Sequence, residues 1–234
     1  MTEEDIIKSE LEHSGTSWTR NEDFDKNGFL VLKNLCDPQE LFHPVPEIRG
    51  QLNYRSNKLD DFVHIKEEEQ VQGSLARYWH PQYRKIHSDI RLIIEKEIGR
   101  KLYNTYYYDR FYFPGQELKK HTDRAACEIS ISVHISTNIK GYWPIFIKTP
   151  YVFAKSQEHT NVKKLISTGD TMGINLNPGD GVLYKGCERP HWRDKMPGTL
   201  EMMGEGEQLY YHQIFFHYVL QDGIRAHHAW DKCN

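Results

Sequence analysis

Cysteine is scarce in this chain, and its four copies are far apart. Cys36, Cys127, Cys187 and Cys233 include no pair separated by two residues. Zinc clips and disulfide frameworks need closely or regularly spaced cysteines, so neither is predicted. We expect free, mostly buried thiols in a reducing compartment, which favours a cytoplasmic protein.

Long apolar runs and an excess of basic residues are also missing. No stretch approaches the roughly 20 apolar residues that span a bilayer, and residues 1–5 are acidic, which is not typical of a secretory signal. The 234 residues carry 30 Lys and Arg against 33 Asp and Glu, a formal net charge of −3. We therefore expect neither a nucleic acid nor a membrane as a partner.

The first hundred residues favour helices. Residues 3–13 predict a short amphipathic helix, and Asp37-Pro38 is typical of a helix start. Apolar residues spaced three and four apart over 81–98, followed by Gly99, predict the clearest helix of the chain. The polar segment 50–78 has no recognisable pattern.

Short strands between turn residues dominate the rest of the chain. The predicted strands cover residues 29–35, 103–113, 128–135, 143–148, 162–167, 172–176, 181–184 and 210–219. Early helices followed by many short strands predict a mainly β fold, a barrel or jelly roll supported by N-terminal helices. No repeat, linker or low-complexity segment divides the chain, so one domain over residues 1–234 is expected.

Two His-x-Asp motifs differ in their predicted local structure. His121-Thr122-Asp123 follows a strand and a turn, and in extended chain residues i and i+2 point to the same side. His87-Ser88-Asp89 lies inside the predicted helix 81–98, where residues two apart point about 200° away from each other. His121 and Asp123 can therefore bind one ion, whereas His87 and Asp89 diverge.

His191 provides a third candidate ligand. The turn at Pro178-Gly179 begins strand 181–184, and the sequence places His191 at the far end of that strand. Two imidazoles and one carboxylate on one face of a metal leave the other positions open, as in non-haem Fe(II) oxygenases. We predict a metal site of His121, Asp123 and His191. His134 and His217 also lie on predicted strands and remain alternative ligands.

An ordered set of segments resembles the 2-oxoglutarate/Fe(II)-dependent dioxygenases of the prolyl-4-hydroxylase-like group. The segments are residues 27–35, 113–118, 121–124, 127–130, 143–145, 178–180, 186–193 and 216–219. The resemblance covers residues 101–220 well and 24–48 loosely. It implies a double-stranded β-helix (jelly-roll) core over about residues 101–220, supported by helices and strands of residues 1–100.

The resemblance also implies the chemistry of the site. His121, Asp123 and His191 would be the catalytic residues that hold Fe(II), with 2-oxoglutarate and O2 as co-substrates. The implied reaction hydroxylates a C–H bond and releases succinate and CO2. Halogenating relatives lack the carboxylate ligand, so Asp123 favours hydroxylation. The substrate would be a peptide side chain such as proline, or a small metabolite, and the sequence indicates neither the choice nor the oligomeric state.

One position departs from the family pattern. Relatives usually bind the distal carboxylate of 2-oxoglutarate with Arg or Lys on the last core strand, and the matching residue here is Glu201. Arg193 is the best substitute, because in extended chain it points to the same side as His191 and can bind a carboxylate with two hydrogen bonds. Further candidate contacts are Tyr112, Tyr108 and Arg124, with Arg110 and Lys148 as alternatives.

Two other functions use the same ligands. A cupin-like metalloprotein would catalyse a non-oxidative reaction, such as an isomerase or lyase step, without consuming 2-oxoglutarate. An inactive jelly roll would serve as a binding module. A pocket without positive charge would favour either function over the oxygenase. The irregular segments 50–80, 149–160 and 194–208 are predicted to be lids or substrate loops.

Overall fold

A computed structural model describes residues 17–41, 64–67, 70–72, 74–149, 169–198 and 209–231. Its helices are α1 (Glu22–Asn27), α2 (Pro38–Leu41) and α3 (Tyr83–Ile98). Its strands are β1 (Phe29–Leu32), β2 (His64–Glu67), β3 (Leu75–Tyr78), β4 (Leu102–Tyr112), β5 (Leu118–His121), β6 (Ile129–Thr137), β7 (Ile145–Lys148), β8 (Thr171–Ile174), β9 (Gly181–Tyr184), β10 (His191–Arg193) and β11 (Tyr211–Leu220). None of the helices in these ranges is long and apolar enough to cross a membrane.

The strands form two antiparallel sheets. The large sheet has the order β1-β9-β6-β11-β4-β3-β2, and the small sheet has the order β5-β10-β7-β8. From β4 to β11 the described strands alternate between the two sheets, except that β7 and β8 follow each other in the small sheet. This is a double-stranded β-helix, so the predicted jelly-roll core with supporting N-terminal helices is confirmed.

Helix α3 covers the outer face of the large sheet. Its buried residues Ile90, Ile94 and Ile98 recur at four-residue spacing and join a core cluster with the apolar side of β6. Gly99 ends the helix in the left-handed region (φ 64°), and its N–H donates to the carbonyl of Glu95. The predicted helix 81–98 is therefore confirmed, and it begins two residues later than expected.

Elements with little sequence pattern were not predicted. Helix α1 contains a single buried apolar residue, Phe24, and depends on the Asn21 side chain, which accepts a hydrogen bond from the N–H of Phe24. Strands β2 and β3 lie in the segment 50–78 and pair with each other, and β3 also pairs with β4. The predicted helix 3–13 and the predicted strand 162–167 lie outside the described residues.

The expected position of His191 is wrong. His191 does not extend strand β9, because the chain turns through residues 185–190 and enters the other sheet. The N–H groups of Glu188 and Arg189 both donate to the carbonyl of Lys185, at 3.0 and 2.8 Å, which closes the turn. His191 instead begins β10 of the small sheet.

A buried carboxylate connects helix α3 to three strands of the large sheet. Asp109 of β4 accepts hydrogen bonds from Arg77 of β3, from Nε2 of His212 of β11 at 2.7 Å, and from the hydroxyl of Tyr83 of α3 at 3.1 Å. Burial opposes its ionisation, but Arg77 and His212 together hold the pKa of Asp109 below its usual range. The carboxylate is therefore charged and fully paired.

We predict that Asp109→Asn destabilises the fold by about 3 kcal/mol or more, because it leaves the buried Arg77 without its counter-charge. Asp89→Asn is the matched control, since Asp89 forms an exposed i,i+4 pair with Lys85 that contributes about 0.5 kcal/mol or less. Urea unfolding measures both losses. Equal small losses in the two variants would contradict a structural role for the Asp109 network.

Candidate metal centre

Two histidines face each other across neighbouring strands of the small sheet. His121 ends β5, His191 begins β10, and the antiparallel register pairs them directly. Their ring centroids lie 4.3 Å apart. Just before His121, Lys119 and Lys120 of β5 lie opposite the single residue Trp192, which is a β-bulge. Bulges re-aim side chains and are common beside active sites.

Asp123 completes the cluster two residues beyond β5. Its Oδ1 atom lies 3.5 Å from Nε2 of His121 and 3.5 Å from Nε2 of His191. The backbone N–H of Asp123 donates to the carbonyl of Gly186 at 2.8 Å, which fixes the residue against the turn between β9 and β10. The structure therefore brings all three sequence-predicted ligands together, with their donor atoms within 4.8 Å of one another.

Backbone carbonyls orient both imidazoles. Nδ1 of His121 lies 2.7 Å from the carbonyl oxygen of Lys119, and Nδ1 of His191 lies 3.0 Å from that of Arg189. A carbonyl only accepts, so each Nδ1 carries a proton and each Nε2 faces Asp123, where its lone pair is available to a metal when that nitrogen is unprotonated. Metal-binding histidines are commonly held in this way, with the second nitrogen bound to a carbonyl or carboxylate.

The charges of Asp123 and the two histidines favour a cation between their three donor atoms. Burial opposes the charge of Asp123, but the imidazoles of His191 and His121 hold the pKa of the carboxyl well below its usual range. Burial also disfavours a charged His191, yet the carboxylate of Asp123 outweighs it and raises the pKa of His191. A proton satisfies the cluster when no metal is present, and a divalent cation satisfies it with three ligands.

The space around Asp123 requires glycine at position 186. A Cβ atom on Gly186 would lie 2.5 Å from Oδ2 of Asp123, 2.2 Å from the carbonyl oxygen of Cys127 and 2.8 Å from Oγ of Ser130. Two of these atoms belong to backbone or to the candidate ligand, so they cannot move away without disturbing the centre. Gly186 therefore sets how closely the β9–β10 turn approaches Asp123.

We predict that Gly186→Ala costs about 1–3 kcal/mol of stability, because the added methyl overlaps three atoms in a packed region. Gly173→Ala serves as the control. Its Cβ would meet only side-chain atoms, the ring of Phe146 at 3.1 Å and Cβ of Pro144 at 3.9 Å, and the added methyl restricts the unfolded chain equally in both variants. Thermal unfolding of the two variants measures the difference. Equal midpoints would show that the turn adapts to a side chain.

The inner face of β6 is polar and buried, although alternating polar and apolar residues usually predict a half-buried strand. Ser130, Ser132 and His134 are at most 3% exposed and face the space between the sheets. Polar and apolar residues alternate over 128–135, but the polar side of such a strand usually faces solvent. Here the second sheet covers that side.

Arg193 lies deep in the same space. It is 1% exposed, and its guanidinium donates to the carbonyl of Trp143, to the Tyr211 hydroxyl at 3.3 Å and to Oε1 of Gln213 at 2.9 Å. The rings of Trp143 and Tyr211 lie 4.7 and 4.6 Å from its central carbon. Among the described residues no carboxylate pairs with Arg193, and its Nε has no hydrogen-bond partner. Tyr211 and Gln213 were not predicted as site residues.

The other candidate contacts for 2-oxoglutarate have different surroundings. The hydroxyl of Tyr112 lies 3.1 Å from Nη1 of Arg110 and 3.4 Å from Nε2 of Gln213, so Tyr112 and Arg110 join the group around Arg193. Tyr108 stacks against Tyr78 and Phe215. These residues share the inner face of the large sheet.

The four remaining candidates have other partners. Arg124 forms an ion pair with Asp231 and lies over the ring of Tyr106, at 4.5 Å. Nζ of Lys148 donates to the carbonyl of Gly169 at 2.9 Å. His134 lies apart from the three ligands, with Nδ1 bound to the carbonyl of Leu176. His217 lies beside Asp123 in a second possible donor group, with Cys127.

Solved structures share this architecture. No family model and no curated protein sequence matches the chain. A prolyl-4-hydroxylase from Pseudomonas putida aligns over 84% of this chain and 95% of its own, with 12% identity and a TM-score of 0.50. AviO1 from Streptomyces viridochromogenes aligns over 86% and 94%, with 15% identity and a TM-score of 0.56.

A third similar structure is the non-heme α-ketoglutarate-dependent epimerase SnoN from nogalamycin biosynthesis. It aligns over 91% of this chain and 82% of its own, with 9% identity and a TM-score of 0.53. The chain has the fold of 2-oxoglutarate/Fe(II) oxygenases. At these identities the likeness establishes the fold alone, and the function must be argued from the site.

Proposed function

We propose that this protein is a 2-oxoglutarate- and Fe(II)-dependent dioxygenase that hydroxylates a C–H bond of its substrate. One observation carries the proposal. Nε2 of His121, Nε2 of His191 and a carboxylate oxygen of Asp123 converge at one point, and the buried guanidinium of Arg193 follows two residues along the same strand.

The donor set fits a divalent iron ion. Two imidazole nitrogens and one carboxylate oxygen are the ligands of the facial triad of non-haem Fe(II) oxygenases. Both Nε2 atoms face Asp123 because each Nδ1 is bound to a carbonyl, and metal binding would displace any proton that they carry. His121, Asp123 and His191 would hold the ion, and the opposite face would stay open to 2-oxoglutarate and O2.

Arg193 fits the distal carboxylate of 2-oxoglutarate. Residues two apart on a strand point the same way and lie roughly 7 Å from each other, a span suited to a five-carbon diacid. Trp192 between them faces outward, where it stacks on Phe146. A fully buried guanidinium is costly unless an anion pairs with it. The distal carboxylate of 2-oxoglutarate would supply that anion. A positively charged pocket disfavours the cupin-like and binding-module alternatives.

The surrounding residues position Arg193 and exclude water. Trp143 and Tyr211 enclose the guanidinium, and Gln213 links it to the hydroxyl of Tyr112. Bound together, Fe(II), 2-oxoglutarate and O2 supply the oxidation of a C–H bond, with release of succinate and CO2. The protein holds the reactants in a dry, oriented site, which is what a protein contributes to cofactor chemistry.

The substrate we propose is a peptide side chain such as proline, or a small metabolite. The similar structures include a prolyl-4-hydroxylase and an epimerase, so the fold accommodates both kinds of substrate. Asp123 occupies the position that a halogenase would leave open, which favours hydroxylation. A single cytoplasmic domain remains part of the proposal.

The first test is anaerobic titration of the apo-protein with Fe(II) and then 2-oxoglutarate, followed by visible absorption. We expect a weak charge-transfer band that requires both additions, because the keto acid chelates the bound metal. His121→Ala should abolish the band. His227→Ala is the matched control, since His227 is exposed and its Nδ1 bonds only to the nearby carbonyl of Ile224. Bound iron without a band would favour the cupin-like function.

A second test separates Arg193 from Arg124. Arg193→Gln should weaken 2-oxoglutarate binding about 10- to 100-fold, because it removes charge-assisted hydrogen bonds worth about 1.5–3 kcal/mol. Fe(II) affinity should not change. Arg124→Gln should leave both affinities unchanged, since Asp231 already engages Arg124. Titration of the band measures each constant. The opposite pattern would place the distal carboxylate at Arg124.

A further inference from the structure

The two carboxylate oxygens of Asp123 have different partners. Oδ1 faces the two histidines, whereas Oδ2 accepts a hydrogen bond from the hydroxyl of Ser130 at 2.9 Å. The same hydroxyl oxygen lies 2.9 Å from Nδ1 of His217. Ser130 and His217 are 0% and 2% exposed. A buried chain of polar groups therefore runs from β11 through β6 to the candidate metal ligand.

The protons in this chain have one consistent arrangement. A serine hydroxyl has one hydrogen to donate, and a carboxylate oxygen is a stronger acceptor than the carbonyl of Cys127, which lies 3.2 Å away. When Ser130 donates to Asp123, its lone pair accepts from His217, so Nδ1 of His217 carries a proton. Each donor then has an acceptor, and the chain ends on the carboxylate.

The backbone and neighbouring rings fix the position of His217. Thr105 and Tyr106 of β4 lie opposite this single residue of β11, which is a β-bulge. The imidazole packs against the ring of Tyr106 at 4.6 Å between centroids, and the carbonyl of His217 bonds to Nε2 of His87 at 3.1 Å. His217, which orients Ser130, is thus held through both its imidazole ring and its backbone carbonyl.

We propose that Ser130 and His217 are positioning residues of the metal centre. By engaging Oδ2, they leave Oδ1 as the single oxygen that Asp123 offers to the ion. The Ser130–His217 chain thereby holds the carboxylate in the orientation that aims Oδ1 at the two histidines, which strengthens metal binding. This inference depends on the proposed function, because it requires a metal at Asp123.

The test measures Mn(II) affinity, by the electron paramagnetic resonance signal of the free ion, in the full-length protein. Ser130→Ala should bind Mn(II) about 10- to 100-fold more weakly, the usual effect of removing a partner of a metal ligand. Ser130→Thr should restore the affinity because it keeps the hydroxyl. Ser132→Ala is the matched control: Ser132 lies on the same buried face two residues along, where its hydroxyl is 3.5 Å from that of Tyr184.

A second pair of variants tests His217 without depending on the folding of Ser130→Ala. In His217→Asn the side-chain amide replaces the Nδ1 donor, whereas in His217→Gln it is displaced by one carbon. We expect near-normal Mn(II) affinity in the first variant and weak binding in the second. Thermal unfolding of each apo-protein should show similar midpoints within the pair, since a merely structural role would shift the midpoints rather than the affinity.

The outcomes separate this inference from the proposed function. Normal Mn(II) affinity in a folded Ser130→Ala protein, or equal affinities in the two His217 variants, would overturn the positioning role. If His121→Ala were then the variant that lost Mn(II) binding, the proposed metal centre of His121, Asp123 and His191 would still stand. Binding that survives His121→Ala but disappears in Cys127→Ser would place the metal on Asp123, Cys127 and His217, and would overturn both.

Discussion

The pairing of β5 with β10 is the constraint on which the site depends. His121 and His191 are far apart in the chain, and only the antiparallel register of these two short strands places them side by side. Asp123 reaches the pair because its backbone is tied to Gly186 in the turn that leads into β10. A shift of this register by one residue would turn one histidine to the opposite face of the small sheet.

The space between the sheets holds buried polar groups beside its apolar clusters. Ser130 and His217 bond toward Asp123 at one end, and Arg193 lies with Gln213 and Tyr112 at the other. Such a core is less favourable than an apolar one unless a ligand completes its hydrogen bonds. The arrangement suits a diacid that spans from a metal ion to a guanidinium. The largest apolar cluster lies on the outer face of the large sheet, under α3, and two further clusters join side chains of the two sheets.

Much of this architecture could be predicted from the sequence, and the failures have physical causes. Helix α3 and strand β6 follow from periodicity, whereas β4, β9 and β11 follow from β-prone residues between turn residues. Strands β5 and β10 are too short to show a period, so His191 was placed on the wrong strand. Ser130 and Gln213 could not be recognised as inner residues, since a polar residue on a strand faces solvent more often than a buried ligand pocket. The meeting of His121 with Asp123 was predictable because extended chain aligns the two residues.

The central claim is that His121, Asp123 and His191 hold a metal ion while Arg193 holds the far end of 2-oxoglutarate. A crystal structure of the protein grown with Mn(II) and 2-oxoglutarate in the absence of oxygen tests it most directly. The account predicts manganese bound by both Nε2 atoms and by Oδ1 of Asp123, the keto acid on the open face, and its distal carboxylate against Arg193. Manganese elsewhere, or 2-oxoglutarate away from Arg193, would contradict it.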